Sequence, residues 1–395
     1  MSIPLWLCYI FTFAFGCCIG SFLNVVIYRM PRDESLISPP SACPNCRRHI
    51  RFYDNIPLIS WLLLGGKCRY CKAKISPQYF IVEFIAGFVF VLLFIIFFQS
   101  SLRSGIGTFA KGGWLIYLLH LVLISALIAA SGIDLKFFII PLSICWVITA
   151  AGIIGSTLAF LVIEPAAIDQ FQLLPTASCI LMPSTTVASL TAGAAIGLAV
   201  SWLLLTTGLL KRSYDHPDQE SKDTPIQSDS QIQDTKYNDR LEICREILFL
   251  LPILLFASIA YLICEKSTQI HPAWENFTRH PAVSGLLGSL WAYFISGGIV
   301  WATRILGTLG FGKEAMGLGD VHLMAAAATI VGPIGAVVAF FIAPFFGLAG
   351  AFIQMFFKKT RQIPYGPFLS LAVFIVIILH DRIFWYINQM LFHYT

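Results

Sequence analysis

Charge is scarce in this sequence, and hydrophobic residues are abundant. Only 12% of the 395 residues are charged, 57% are hydrophobic, and the mean hydropathy is +0.78. A chain with so few charges cannot cover itself with a solvated surface, which excludes a water-soluble globular protein. The net charge of +5 is also small, so we expect no nucleic-acid partner.

The sequence also lacks a basic residue before its first apolar stretch, Ile3 to Tyr28, whereas Arg29 and Arg32 follow this stretch closely. A secretory signal peptide has its positive charge on the other side of the apolar region. We therefore expect an uncleaved first span whose N-terminus lies outside.

Several apolar runs are long enough for a helix to cross ~30 Å of hydrocarbon, which takes about 20 residues. The predicted fold is an all-α polytopic membrane protein of about ten transmembrane helices, with the lipid bilayer as its partner. The predicted spans are 3–28, 80–98, 114–132, 137–163, 187–210, 247–264, 283–303, a short one at 321–332, 334–357 and 368–390.

The positions of the basic residues predict the orientation of these spans. If the N-terminus lies outside, 21 of the 26 Lys and Arg residues fall in the inside segments. Such an excess is typical of cytoplasmic loops. The two long inside segments, 29–79 and 211–246, are therefore assigned to the cytoplasm.

These two segments differ in composition. The segment 211–246 is rich in Asp, Gln, Ser and Lys, so we predict a disordered linker. The segment 29–79 contains aromatic residues, prolines and four cysteines, which predict a small folded domain. The five predicted regions are a first transmembrane helix (1–28), this cytoplasmic domain (29–79), helices that carry Asp134 (80–210), the linker (211–246) and the remaining helices (247–395).

Two C-x-x-C pairs lie in the cytoplasmic domain, separated by 21 residues. This spacing is typical of a zinc ribbon, in which two knuckles present four thiolates to one tetrahedral ion. A domain of about 50 residues has little core, so the ion would have a structural role. Two disulfides are the alternative, which a reducing cytoplasm disfavours. The predicted Zn²⁺ ligands are Cys43, Cys46, Cys68 and Cys71, and the seven other cysteines are interpreted as packing residues.

Two acidic residues next to predicted spans, Asp134 and Asp320, are candidates for catalysis. Ionisable groups at the membrane are costly and are usually functional. Two carboxylates in a low dielectric can share one proton, so that one acts as an acid and the other as a base, and such a pair hydrolyses peptide bonds without a metal. Gly317 and Gly319 leave room beside Asp320 for an extended substrate backbone.

Simpler interpretations of these residues stay open at this point. Asp320 could cap the helix that it begins, and Asp134 could cap a helix or pair with Lys136. His322 is a metal or base alternative that a polar helix face also explains. Glu83, at the start of the second span, could simply interact with the helix dipole.

Five stretches of this sequence, in order, resemble the prepilin peptidases, which are membrane aspartic proteases of the G-x-G-D type. The stretches are GSFLNVVIYRMP (20–31), the region 38–83, Asp134 with the apolar run that ends at Pro141, MGLGDVHLMAA from Met316 onward, and IPYGPFL (363–369). Five ordered stretches are more specific than any one of them.

The resemblance implies an enzyme of the bacterial inner membrane that removes the leader peptide of type IV prepilins and type II secretion pseudopilins at the cytoplasmic face. It implies that Asp134 and Asp320 form the catalytic pair and that the four cysteines bind zinc. It also implies N-methylation of the new N-terminus with S-adenosyl-L-methionine, and Glu83 and Gly87 lie in the matching part. No Rossmann-like glycine pattern supports this second activity.

The two aspartates are 186 residues apart, which is farther than the family pattern has them. Relative to that pattern, the resemblance implies that a segment with the 211–246 linker and two additional spans is inserted between them. Because two spans are an even number of crossings, Asp320 returns to the membrane side of Asp134.

Other functions stay open from the sequence alone. A peptidase without methyl transfer would share these motifs. A transporter would use both aspartates as ion ligands near the bilayer midplane. A scaffold of a secretion system would dock partners on the zinc domain, with inert aspartates. The sequence does not predict the oligomeric state.

Overall fold

A computed structural model describes residues 4–100, 102–103, 108–163, 183–211, 213, 239–357 and 364–392. The α-helices in these ranges are α1 (Leu5–Arg29), α2 (Ile59–Leu63), α3 (Pro77–Phe98), α4 (Gly113–Phe137), α5 (Leu142–Leu158), α6 (Thr185–Thr206), α7 (Asp239–Lys266), α8 (His271–Thr278), α9 (Pro281–Phe311), α10 (Leu318–Val331), α11 (Pro333–Phe357), α12 (Gly366–Ile378) and α13 (His380–Phe392). Short 3-10 helices cover Met30–Arg32, Phe52–Asn55, Phe109–Lys111 and Ala159–Leu161. Two isolated antiparallel bridges join Ala42 to His49 and Lys67 to Lys74.

The predicted all-α architecture is confirmed. Eight of the described helices are long and apolar enough to cross a membrane: α1, α3, α4, α5, α6, α7, α9 and α11. The short predicted span is α10, which has 14 residues. The last predicted span is broken, because α12 and α13 meet at a bend of 80° where the polar residues His380 and Asp381 interrupt the apolar run.

The predicted linker extends too far. Residues 212 and 214–238 lie outside the described residues, but residues 239–246 belong to α7. Glu242 and Glu246 are buried there beside Ile243. Charged residues that resemble a linker in composition are therefore packed between helices, where ion pairs and hydrogen bonds satisfy them.

Glycines allow close antiparallel contact within two helix pairs. In the α1–α3 pair, a Cβ on Gly16 would lie 2.8 Å from the Ala86 carbonyl oxygen. In the α6–α7 pair, a Cβ on Gly197 would lie 2.4 Å from the Pro252 carbonyl oxygen, and the Ser201 hydroxyl donates to the Phe249 carbonyl at 2.7 Å. The two inserted spans thus form one antiparallel pair, which packs against α9.

The helices that carry the candidate aspartates pack around one end of the bundle. Gly319 at the start of α10 lies against Ile140, just before α5, and Gly152 farther along α5 lies against Thr329 of α10. The two helices therefore run parallel. α4 contacts α5, α10 and α12, so that its C-terminal end meets the N-terminal ends of the other three.

A pair of glycines in α9 tests this packing. A Cβ on Gly285 would lie 2.1 Å from the Ser156 carbonyl oxygen of α5, whereas Gly298 has nothing within 4 Å. Gly285→Ala should lower the free energy of unfolding by about 1–3 kcal/mol through overpacking. Gly298→Ala should leave it unchanged or raise it by up to about 1 kcal/mol, because alanine is the better helix former. Thermal unfolding in detergent measures both, and equal effects would contradict the close approach of α5 and α9.

Candidate catalytic and metal sites

Asp134 lies in the last turn of α4, where it is buried. The helix ends because Phe138 adopts a left-handed conformation (φ 56°) and donates its N–H to the Asp134 carbonyl oxygen. The side chain reaches a different helix, since its Oδ2 accepts the N–H of Gly366 at 2.8 Å. Gly366 begins α12, so Asp134 satisfies one of the unpaired N–H groups at the start of that helix.

Asp320 lies in the first turn of α10 and is also buried. Gly317, and not Asp320, occupies the N-cap position, so the interpretation of Asp320 as the N-cap is wrong. A negative charge in the first turn is nevertheless favoured by the helix dipole. A Cβ on Gly317 would lie 3.6 Å from Asp320 Oδ2, an ordinary contact distance, which leaves space beside this carboxylate.

Asp134 and Asp320 lie at the same end of the bundle, because Gly366, which donates to Asp134, and Gly319, which precedes Asp320, both lie against Ile140. The exposed fractions of the two residues are only 5% and 8%. Each carboxyl group also lies at the positive end of a helix, Asp320 in α10 and Asp134 against the first residue of α12. These helix ends offset part of the repulsion between the carboxylates.

Ile140, in the turn between α4 and α5, packs against glycines of two other helices. A Cβ on Gly319 would lie 3.0 Å from the Ile140 Cβ, so this predicted glycine allows close packing against Ile140. A Cβ on Gly366 would lie 2.8 Å from Asp134 Oδ2 and 3.3 Å from the Ile140 Cδ1. Glycine at both positions therefore lets α10 and α12 approach the end of α4.

Gly366 and Ile140 also belong to this site, although neither is predicted from the sequence. Gly366 lies in the IPYGPFL stretch, which carried the resemblance but no assigned role. Ile140 is one apolar residue among many in its run, and no pattern distinguishes it.

The four predicted zinc ligands converge. All four Sγ atoms lie within 4.8 Å of one another, and 3.8 Å separates Cys43 Sγ from Cys71 Sγ. A tetrahedron with Zn–S bonds of about 2.3 Å has edges of about 3.8 Å. A disulfide needs about 2.05 Å, and the four thiols are free, so the disulfide alternative is wrong. Among the described residues, no other group of three or more His, Cys, Asp or Glu side chains is compact enough for a metal, and His322 belongs to none.

The two cysteine pairs form knuckles of the same shape. The N–H of Cys43 and that of Cys68 each donate to the carbonyl five residues later, at 3.0 and 2.8 Å. The residues that follow the second cysteine of each pair, Arg47 and Lys72, are both left-handed, with φ of 55° and 58°. The repeated turn directs both thiols of each pair to the same centre.

Hydrogen-bond donors around Cys71 favour the thiolate. The Ala73 N–H and the Asn45 amide, together with neighbouring cysteines, lower the pKa of the Cys71 thiol to about 6. Zinc binds the thiolate form of cysteine. The donor set therefore fits a Zn²⁺ ion.

Glu83 joins the cysteine domain to the first helix pair. It is buried in α3, where its Oε2 accepts the Leu58 N–H at 2.8 Å and the Ser21 side chain of α1 also bonds to it. Leu58 has a positive φ of 59° with ψ of −52°, which is uncommon for such a residue. Gly87 lies one turn farther along α3, within the contact with α1, where a Cβ would lie 2.6 Å from Cys17 Sγ.

Comparison with known proteins supports the resemblance. Residues 14–97 match the family model described as "Bacterial Peptidase A24 N-terminal domain". This range covers most of α1, the cysteine domain and most of α3, and ends before Asp134. No solved structure matches the chain.

Three curated relatives have names that agree with the resemblance. The "Prepilin leader peptidase/N-methyltransferase" of Myxococcus xanthus is 40% identical over 165 residues, which are 41% of this chain and 42% of the relative. The "Type 4 prepilin-like proteins leader peptide-processing enzyme" of Escherichia coli is 40% identical over 144 residues, 32% of this chain and 48% of the relative. A "Prepilin leader peptidase/N-methyltransferase" of Vibrio cholerae is 47% identical over 91 residues, 21% of this chain and 35% of the relative.

These matches confirm the predicted resemblance to the prepilin peptidases. The chain spans less than half the length of each of these three relatives.

Removal of one thiol tests the metal centre. The purified protein should contain one Zn²⁺ per chain, and Cys71→Ser should lose most of it, because a structural zinc site needs all four ligands. The matched control is Cys18→Ser, which changes an exposed cysteine of α1 and should keep the ion. Elemental analysis of both variants measures the metal, and a full zinc content in Cys71→Ser would contradict the assignment.

Proposed function

We propose that this protein is a membrane endopeptidase that removes the leader of type IV prepilins and type II secretion pseudopilins, with Asp134 and Asp320 as its catalytic pair. The observation that carries the proposal is that these two buried carboxyl groups, 186 residues apart in the chain, lie at one end of the bundle: Gly366, which donates to Asp134, and Gly319, which precedes Asp320, both lie against Ile140. The names of the similar proteins support the choice of reaction and substrate.

The chemistry needs one ionised and one protonated carboxyl group. We assign Asp134 as the base, because the Gly366 N–H stabilises its charge and fixes its orientation. Asp134 takes a proton from water as the water oxygen bonds to the scissile carbonyl carbon, and Asp320 protonates the carbonyl oxygen. The C–N bond then breaks: the leaving amine takes its proton from Asp134, and Asp320 takes back a proton from a hydroxyl of the tetrahedral intermediate. The product carboxyl group forms, and both aspartates return to their starting protonation states.

We place this reaction at the cytoplasmic edge of the inner membrane. Asp134 lies three residues before the end of the 25-residue helix α4, which favours the edge over the bilayer midplane that a transporter would use. Gly132 packs against Ile27 near the end of α1, so the cysteine domain that follows α1 lies at the same end of the bundle. The excess of Lys and Arg in the segments at this end supports a cytoplasmic location.

We propose N-methylation of the cleaved product as a second activity of the α1–α3 unit. S-adenosyl-L-methionine would supply the methyl group. Its sulfonium and ammonium charges fit Glu83, a buried carboxylate whose partners named above, the Leu58 N–H and the Ser21 hydroxyl, are both neutral. The part of the chain that matches the family model includes this carboxylate. Gly87 would serve this activity by holding α1 against α3.

Neutralising either aspartate tests the peptidase. Asp134→Asn and Asp320→Asn should each lower the rate of leader cleavage by about 10²–10⁴-fold, because either change removes a proton-transfer group. The measurement is the mass of a co-expressed pseudopilin, with and without its leader. Glu275→Gln is the matched control, because it neutralises an exposed carboxylate of α8 that pairs with Arg279. Wild-type cleavage by either aspartate variant would refute the pair.

Neutralising Glu83 tests the second activity separately. Glu83→Gln keeps an oxygen that accepts the Leu58 N–H but removes the charge. Methylation should fall by at least about 10-fold through loss of the cation's partner, while cleavage continues. The 14 Da that methylation adds to the mature pilin gives the readout, and unchanged methylation would exclude a role for this carboxylate.

A further inference from the structure

A buried cation lies behind the loop that leads to Asp320. The Arg304 side chain, in α9, has an exposed fraction of only 2%. Its Nε donates to the Met316 carbonyl oxygen at 2.7 Å, and one terminal nitrogen donates to Glu314 at 2.8 Å. Both acceptors belong to the loop between α9 and α10, and Met316 directly precedes the N-cap residue Gly317.

The counter-ion of Arg304 comes from the inserted helix pair. The other terminal nitrogen of Arg304 donates to Glu246 Oε1 in α7. The Glu246 side chain has an exposed fraction of 3%, and its Oε2 accepts the indole N–H of Trp301 at 2.8 Å. Glu314 is more solvated, with 43% exposed. The buried carboxylate on Arg304 is therefore supplied by the insertion.

A second contact from α9 holds the same loop. The Ala315 N–H donates to the Thr308 hydroxyl at 3.3 Å, and that hydroxyl donates to the Arg304 carbonyl at 2.8 Å. Three consecutive loop residues, 314–316, are thus attached to one face of α9. The loop then continues through Gly317 into the first turn of α10, where Asp320 lies.

We infer that Arg304 is a positioning residue for the loop that carries Asp320, and that Glu246 of the inserted helix pair keeps Arg304 in place. This inference rests on the proposed peptidase function. Arg304 contacts no reacting atom. It fixes the loop by donating to a backbone carbonyl four residues before the carboxyl group, so the insertion between the two aspartates becomes part of the active-site support.

Geometry explains why arginine is required at this position. Its planar fork donates in three directions, to Met316, Glu314 and Glu246. A lysine keeps the charge but concentrates it at one point and cannot serve all three acceptors at once. Arg304→Lys should therefore fold, because the buried charge stays paired, but leave the loop less constrained.

The decisive measurement is the split between kcat and KM for leader cleavage by the purified full-length protein. The probe is a prepilin peptide that contains the leader and the apolar segment. Arg304→Lys should lower kcat by about 10- to 100-fold, because small misplacements of a catalytic group have effects of this size. KM should change by less than about 2-fold, because Arg304 does not touch the substrate. A wild-type kcat in this variant overturns the inference.

A double variant separates positioning from stability. Replacing a whole buried ion pair by apolar residues often leaves a protein stable, whereas removing one partner destabilises it. Glu246→Leu combined with Arg304→Met should therefore unfold close to the wild-type temperature, yet keep the low kcat because the Met316 carbonyl has lost its donor. Recovery of wild-type kcat in the double variant would show that the pair serves stability only.

The control is an exposed Arg–Glu ion pair away from the loop. Glu275→Gln with Arg279→Gln removes an exposed pair in and after α8 and should leave both constants unchanged. The same measurements distinguish a failure of this positioning role from a failure of the proposed peptidase function. If the wild type cleaves and Asp320→Asn does not, but Arg304→Lys keeps full kcat, the positioning role alone is refuted.

Discussion

The hydrogen bond from the Gly366 N–H to the Asp134 carboxylate is the contact on which the rest of the site depends. It attaches the end of α4 to the start of α12, 232 residues away in the chain. A carboxylate buried at this depth is costly unless a donor satisfies it, and the free N–H groups at a helix start are suitable donors. The bond also requires glycine at position 366, since a Cβ there would lie 2.8 Å from Asp134 Oδ2.

The remainder of the site follows from this contact through packing. Once α12 lies against the end of α4, Ile140 fills the space between Gly366 and Gly319 and so sets the position of α10. Asp320 then lies in the first turn of α10, at the same end of the bundle as Asp134. Two neighbouring carboxylates repel each other strongly in a low-dielectric interior. The positive N-terminal ends of α10 and α12 offset part of this repulsion. The site is thus built from helix ends, which places it at one end of the bundle.

The chain has two units with different supports. The α1–α3 pair packs through glycines, and the cysteine domain between these helices has little core, so four thiolates around an ion can close it. The bundle that carries the aspartates depends instead on helix packing and on the buried Arg304–Glu246 pair. Glu83 connects the first unit internally through the Leu58 N–H. This separation agrees with the two proposed activities, in which Glu83 serves methylation and Asp134 and Asp320 serve leader cleavage.

The sequence by itself determined the membrane helices and the four thiols. A segment that crosses lipid must satisfy its own backbone hydrogen bonds, which a long apolar helix does. Two C-x-x-C pairs at zinc-ribbon spacing likewise have few alternative structures. It also indicated Asp134 and Asp320 as candidate functional residues, because acidic residues next to membrane spans are rare and usually functional. Composition failed at residues 239–246, where Glu242 and Glu246 resemble a solvated linker but are buried in α7. Only the tertiary structure decided which polar groups meet. The contacts of Asp134 with Gly366 and of Arg304 with Met316 and Glu246 join residues whose encounter depends on how helices pack, and packing is set by the shapes of many side chains together and not by any local pattern.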